Sequence, residues 1–139
     1  MERIKRYSRA ELKQILPHRE PMLLLDEAWE GGGQYTVQGD EFFLQGHFPG
    51  NPVVPGVILC EIMAQSACVS LEGRLRGSTP YFTGIDRVRI RNSVFPGDTF
   101  RTEITLANDK APFYFLGAKG FVGDKLCISG QLSFAVSSE

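Results

Sequence analysis

Two side chains in this sequence have the types and setting needed for acid–base chemistry near neutral pH, and both fall in the run GHFPGNPVVPGVILCEIMAQ. His47 stands between Gly46 and Phe48 in a segment crowded with glycine and proline, which restricts the backbone and lets a ligand come close. Glu61 follows in the most apolar helical pattern of the chain. A histidine on a rigid loop and a carboxylate on an enclosed helix are the minimum equipment for a general base and a general acid facing one pocket. Each signal has an ordinary structural reading: a loop histidine is commonly solvated or packed, and a helix glutamate commonly marks a solvent face. Here the polar stripe is narrow. At about 100° per residue, Glu61, Gln65 and Glu72 share a sector of roughly 40° on a helix otherwise apolar or small. An enclosed carboxylate must be hydrogen-bonded, paired or functional. Gln65, one turn on, is placed to bond it and is a candidate substrate contact, as is Phe48 beside the histidine.

The start of that helix adds a third element. Pro55 suits a first helical turn, and Gly56 lets its own N–H reach a ligand with no side chain in the way. Unpaired N–H groups at a helix start favour developing negative charge, so a carbonyl oxygen bound there would be polarised. The set suffices for removing a proton next to a carbonyl and expelling a neighbouring hydroxyl. His18, in LPHREP, is read as a capping or packing residue at a helix end. Asp26-Glu27 and Asp40-Glu41 are adjacent carboxylates that a strand would point to opposite faces, which argues against a metal pair. No phosphate loop, nucleophile elbow or HExxH motif occurs.

These residues must be held by a frame, and the pattern supplies one. Ser8 and Glu11 have capping-box spacing ahead of Leu12, Ile15 and Leu16, so a short helix runs up to Pro17. MLLLDEAWEGGGQYTVQGDEFF reads as a hairpin of two strands around Gly31 to Gly33. The long helix starts at Pro55 and runs to about Leu71, with Gly73 near its end. Beyond Pro80 come four strand patterns, YFTGIDRVRIRNSVF, DTFRTEITLAN, FYFLGAKGFV and KLCISGQLSFAV, read as an antiparallel meander. The expected fold is α+β, a curved antiparallel sheet wrapped around one long central helix. With no linker, repeat or low-complexity tract, residues 1–139 are expected to form one domain.

Composition narrows the function classes. A net charge of −1 gives no global attraction to nucleic acid or membrane, and no apolar run reaches the length of a membrane span. Cys60, Cys68 and Cys127 are odd in number and form no CxxC pair, which points away from a disulfide or zinc framework and toward a reducing, cytoplasmic setting. Local charge is another matter. Arg87, Arg89 and Arg91 alternate with Val88 and Ile90, so an unbroken strand would gather all three on one outward face.

LPHREPMLLLDE, GHFPGNPVVPGVILCEIMAQ and YFTGIDRVRIRNSVFPGD, in that order and spacing, closely resemble the hot-dog-fold (3R)-hydroxyacyl-[acyl-carrier-protein] dehydratases of the FabZ type, over nearly the whole chain. The resemblance implies type II fatty acid synthesis, a hydro-lyase activity and no metal or organic cofactor, the substrate riding on the phosphopantetheine of acyl carrier protein. It implies that His47 and Glu61 meet across a homodimer interface, that the Gly56 N–H binds the thioester carbonyl and that the backbone carbonyl near Val53 orients the imidazole. A glutamate at position 61, where dehydratase-isomerases of the FabA type carry aspartate, favours plain dehydration. Three dimers often form a hexamer in this family, and its acidic carrier protein makes Arg87, Arg89 and Arg91 candidate docking residues. Two other readings stay open on residues alone: a hot-dog acyl thioesterase, and a non-catalytic acyl-binding subunit.

Overall fold

The computed structural model describes residues 4–75 and 78–137. Chain order is β1 (Arg6–Ser8), α1 (Arg9–Ile15), β2 (Glu27–Trp29), β3 (Gly32–Thr36), a 3-10 turn at Phe42–Leu44, α2 (Gly56–Ser70), α3 (Glu72–Leu75), β4 (Thr79–Ile90), β5 (Thr99–Lys110), β6 (Phe113–Val122) and β7 (Lys125–Ser137). Among the described residues the strands form one antiparallel sheet in the order β1-β2-β3-β5-β6-β7-β4. The sheet folds around α2, giving the expected α+β hot-dog layout.

Period-two patterning drives the wrap. In β5, Phe100, Thr102 and Ile104 are buried between exposed Thr99, Glu103 and Thr105, and in β6 Tyr114, Leu116, Ala118 and Gly120 are buried opposite exposed Phe113, Phe115 and Lys119. One face is therefore core and the other solvent. Helix α2 lies on the core face with Leu59 and every residue from Ile62 to Val69 buried, Gln65 and Ser66 included. The buried polar groups are paired: Thr102 Oγ1 donates to Ser66 Oγ at 2.8 Å, and Ser66 Oγ to the Ile62 carbonyl at 3.0 Å. The Phe100 ring lies over Gly120, where a Cβ would fall 2.1 Å from Cζ, so that close approach needs glycine.

The N-terminal helix forms as its sequence predicts, with the reciprocal capping box of Ser8 and Glu11. Two expectations are corrected. The second half is a meander only through β5, β6 and β7, because β4 pairs with β7 at the far edge and not with β5. Strand patterning reports faces, whereas the pairing partner follows from where the preceding helix leaves the chain. The early hairpin is also shorter than expected. Leu23, Leu24 and Leu25 are buried without being strand, and their backbone is bonded by side chains. Arg9 donates to the carbonyls of Leu23 and Leu25, each at 2.8 Å, and Leu24 N–H donates to Gln65 Oε1 at 2.9 Å.

Candidate active site

Residues 46–55 tie themselves down before α2 begins. The N–H of Val53 donates to the His47 carbonyl at 2.9 Å, Asn51 N–H to the Phe48 carbonyl at 2.9 Å, and Val54 N–H reaches the Val94 carbonyl at 2.9 Å. The His47 ring, half-buried and stacked on Phe48 at 4.3 Å between centroids, has Nδ1 at 2.9 Å from the Val53 carbonyl oxygen. A carbonyl can only accept, so Nδ1 carries the proton and donates, which leaves the Nε2 lone pair as the reactive position. Val53 thus sets both the orientation and the tautomer of the ring.

Pro55 caps α2 through its carbonyl, which accepts from Ile58 and Leu59, and Gly56 is the first helical residue. Its N–H belongs to the set that an α-helix leaves without an internal partner. A Cβ here would fall 2.5 Å from Ile90 Cδ1, so the glycine also admits the β4 side chain against the helix start.

Glu61 lies further along α2, one face of its side chain enclosed. Gln65 Nε2 donates to Glu61 Oε2 at 2.9 Å, and His18 Nε2 stands 3.4 Å from the same oxygen. Oε1 accepts no hydrogen bond among the described residues. Burial pushes the carboxyl up, but the bonds from His18 and Gln65 and the His18 charge outweigh it, holding Glu61 below the ordinary glutamate value. Apolar walls alone would raise this carboxyl; a helix pattern shows the walls and hides the two donors that reverse the sign. Glu61 is therefore a carboxylate in this chain, ready to accept a hydrogen bond. It faces a cavity of about 100 Å³ bounded by Pro17, His18, Ala64, Cys68, Pro80, Phe82 and Phe134. Burial and the neighbouring Glu61 charge push the Cys68 thiol up to about 12, so it is no nucleophile. His47 does not line this cavity, and among the described residues no hydrogen bond or ion pair joins His47 to Glu61. Larger depressions of about 390 and 420 Å³ lie on the outer side of the sheet, one around Phe115 and Gln131 and the other around Arg87 and Lys119, away from both groups.

Against known proteins, the family model of the ApeI-like dehydratases matches residues 26–131. The 3-hydroxyacyl-[acyl-carrier-protein] dehydratase FabZ of Clostridium perfringens is 40% identical over 133 residues, covering 91% of this chain and 96% of that one. Its counterpart from Oenococcus oeni is 42% identical over 135 residues, with 91% and 96% covered. The chain belongs to the FabZ 3-hydroxyacyl-[acyl-carrier-protein] dehydratase family. In fold it is similar to the dehydratase heterocomplex ApeI:P from Xenorhabdus doucetiae, with a TM-score of 0.77 at 21% identity over 92% of this chain and 91% of that one. The fluoroacetyl-CoA-specific thioesterase FlK shares the fold at a TM-score of 0.66 and 16% identity, over 76% and 88%.

Within this FabZ-family frame, the structure redraws three of the sequence expectations. Gln65 is fully buried, and its two N–H donors go to Glu61 and to the Met22 carbonyl at 2.7 Å while its oxygen takes Leu24 N–H. Both of its donors are taken, so although it borders the Glu61 cavity its hydrogen bonds hold Glu61 and the Met22 segment. The arginine stripe is broken: Arg87 sits at a φ of 54° in a bulge between Asp86 and Arg89, and Arg91 lies past the end of β4 with its N–H on the Cys127 carbonyl at 2.7 Å. All three remain exposed, but Arg87 turns back to Asp86. A bulge shifts side-chain alternation by one residue. His18, read from sequence as a cap, is instead a neighbour of Glu61. The available signal was scarcity, since His18 and His47 are the only histidines in the chain. Of the adjacent carboxylates, Asp26 accepts Thr36 N–H, Glu41 accepts the N–H groups of Gln38 and Gly39, and Glu27 pairs with Arg6.

Proposed function

We propose that this chain removes water from a (3R)-3-hydroxyacyl thioester on acyl carrier protein, giving the trans-2-enoyl thioester, with His47 as base and Glu61 on the departing hydroxyl. The observation that carries this reading is the Nδ1 bond of His47 to the Val53 carbonyl, which presents Nε2 as a fixed acceptor on the rigid loop. The relatives' name, 3-hydroxyacyl-[acyl-carrier-protein] dehydratase, supports the substrate. The C2 proton is acidified by the thioester carbonyl, and the Gly56 N–H at the start of α2 takes up the enolate-like charge on its oxygen. Nε2 of His47 removes that proton, the C2–C3 double bond forms, and the C3–O bond breaks with its electron pair going to oxygen. Glu61, entering as a carboxylate, holds the hydroxyl through Oε1. The balance closes when the proton taken from C2 passes to the departing oxygen as water forms. The thioester carbonyl is the electron sink, so no step calls for a metal or organic cofactor; phosphopantetheine is the substrate's own carrier.

The site is proposed to join His47 of one subunit to Glu61 of another. Supporting this, Phe48 on the His47 ring, Phe82 at the Glu61 cavity, and Val57 and Ile90 at the start of α2 are 55%, 45%, 76% and 57% exposed, apolar side chains that a second copy would cover. Three dimers per hexamer, a single domain over residues 1–139 and a cytoplasmic setting belong to the same proposal; the three thiols are free, and among the described residues no helix is long and apolar enough to cross a membrane. Phe48 lines the substrate path. Exposed Arg89 and Arg91, which carry no ion pair among the described residues, are the proposed contacts to the acidic carrier protein, with Arg87 a weaker third. The test is to incubate the protein with a (3R)-3-hydroxyacyl carrier-protein thioester and follow enoyl absorbance and free thiol separately. Enoyl product without thiol is expected; thiol release would mark a thioesterase, and neither signal a non-catalytic subunit.

A further inference from the structure

His18 has no role in the reaction as set out above, and its geometry gives it one. It follows Pro17 in the loop after α1, half-buried, with Nε2 at 3.4 Å from Glu61 Oε2. That is longer than the usual hydrogen bond, as catalytic contacts in an unliganded site often are before substrate tightens them. Its other ring nitrogen, Nδ1, is buried with no partner among the described residues. The hydrogen-bonding capacity of the ring is therefore spent at Nε2, toward the carboxylate. The main chain at this point is itself pinned, because the Arg19 guanidinium donates to the Leu16 carbonyl at 3.0 Å and to the His18 carbonyl at 2.7 Å. A ring meant only to fill space would not need its backbone fixed beside a carboxylate and its polar edge turned to it.

We propose that His18 is a positioning residue for the dehydration: it works with Gln65 on Glu61 Oε2, so that Oε1 is the oxygen presented to the substrate hydroxyl. The two donors come from different elements, Gln65 from one turn along α2 and His18 from the loop crossing it, so together they fix the carboxylate in two directions. The groups facing Glu61 are few. From α2 they are Gln65 and the protonated Cys68 thiol, from the α1 loop His18, and from the sheet the apolar Pro80, Phe82 and Phe134, the last two stacked at 5.3 Å. In the proposed dimer the partner subunit's His47 would be added.

This inference rests on the dehydratase reading, and the experiment separates the two. His18→Leu, His18→Gln and Glu61→Gln are compared with His18→Leu combined with Glu61→Gln, by steady-state kinetics on a hydroxyacyl carrier-protein thioester. The Glu61 carboxyl is titrated in parallel by ¹³C NMR, with Glu61→Gln giving the assignment. His18→Leu is expected to lower kcat about tenfold with KM changed less than twofold, and to raise the Glu61 titration midpoint. His18→Gln, whose amide can donate near the Nε2 position, is expected to recover most of the loss. In the Glu61→Gln background His18→Leu should do nothing further, because it acts through the missing carboxylate. Unchanged kcat in His18→Leu, effects that multiply in the combined variant, or an unmoved Glu61 titration would each overturn the inference while leaving the dehydratase reading in place. Wild-type protein that forms no enoyl product would overturn the reading and the inference together.

Discussion

Replacing Gln65 with methionine isolates the part of the site that is pure hydrogen bonding. The two side chains are close in volume and both unbranched, so little cavity or strain term enters. Three bonds go: Leu24 N–H loses its acceptor, the Met22 carbonyl loses its donor, and Glu61 Oε2 loses one of two. Leu24 is 1% exposed, so its N–H has no water to turn to, and an orphaned buried donor costs about 1–3 kcal/mol. Met22 is exposed, so its carbonyl can rehydrate and adds about 0.5–1 kcal/mol. The total is about 1.5–4 kcal/mol, which for a urea slope of about 2 kcal/mol/M is a midpoint shift of about 0.8–2 M. The assay is urea unfolding at fixed protein concentration, since assembly contributes to apparent stability. Hydrogen exchange at Leu24 should speed up at the same time. A midpoint within about 0.2 M of wild type, with Leu24 still protected, would refute the reasoning that Gln65 carries that segment.

The depressed Glu61 carboxyl has a signed consequence. A folded-state value below 4.5 contributes stability that is fully present above pH 4.5 and is lost as pH falls through the folded value, so the stability gap between wild type and Glu61→Gln should narrow on acidification; urea midpoints between pH 7 and 3 check this, and a gap that stays constant or widens contradicts it. Gly120→Ala would drive a Cβ into the Phe100 ring and should cost at least about 1–3 kcal/mol by thermal unfolding, whereas an unchanged Tm would mean the ring is free to move. Replacing Arg89 and Arg91 with glutamate should weaken use of carrier-protein substrates and flatten their salt dependence, leaving a short thioester without carrier protein almost unaffected. Equal losses on both substrates would assign these arginines to the fold or the pocket.

Much of this architecture was legible because it is written in short-range pattern. The Ser8–Glu11 box, the apolar run of α2 and the alternation of β5 to β7 are local signals, and each element forms where its signal lies. The region holding His47 and Glu61 was legible for a different reason, since a Gly/Pro-rich loop and a lone carboxylate on an apolar helix are compositional exceptions. What sequence could not show is contact between distant segments. Gln65 reaches back 41 residues to Leu24, and His18 reaches forward to Glu61; both contacts depend on how the α1 loop crosses α2. For the same reason the sign of the Glu61 shift could not be read from the sequence. Burial is visible in a helix pattern, but the donors that outweigh it are not. The bulge at Arg87 was hidden too, because DRVRIR alternates perfectly in sequence, and only the register against β7 shows where the strand breaks.

The central claim is that dehydration needs His47 from one subunit and Glu61 from another, and mixing inactive variants tests it most directly. His47→Ala and Glu61→Gln should each lose at least about a hundredfold in dehydration while staying folded, the low end of what general acid–base groups contribute. Each preparation is purified, the two are mixed under conditions where exchange of subunits is shown by mass spectrometry, and enoyl formation is followed. A hybrid dimer with one intact His47–Glu61 pair should restore activity toward half that of a wild-type dimer. Demonstrated exchange with no recovery would contradict a site built from two chains, and near-normal turnover by either single variant would contradict the assignment of its residue.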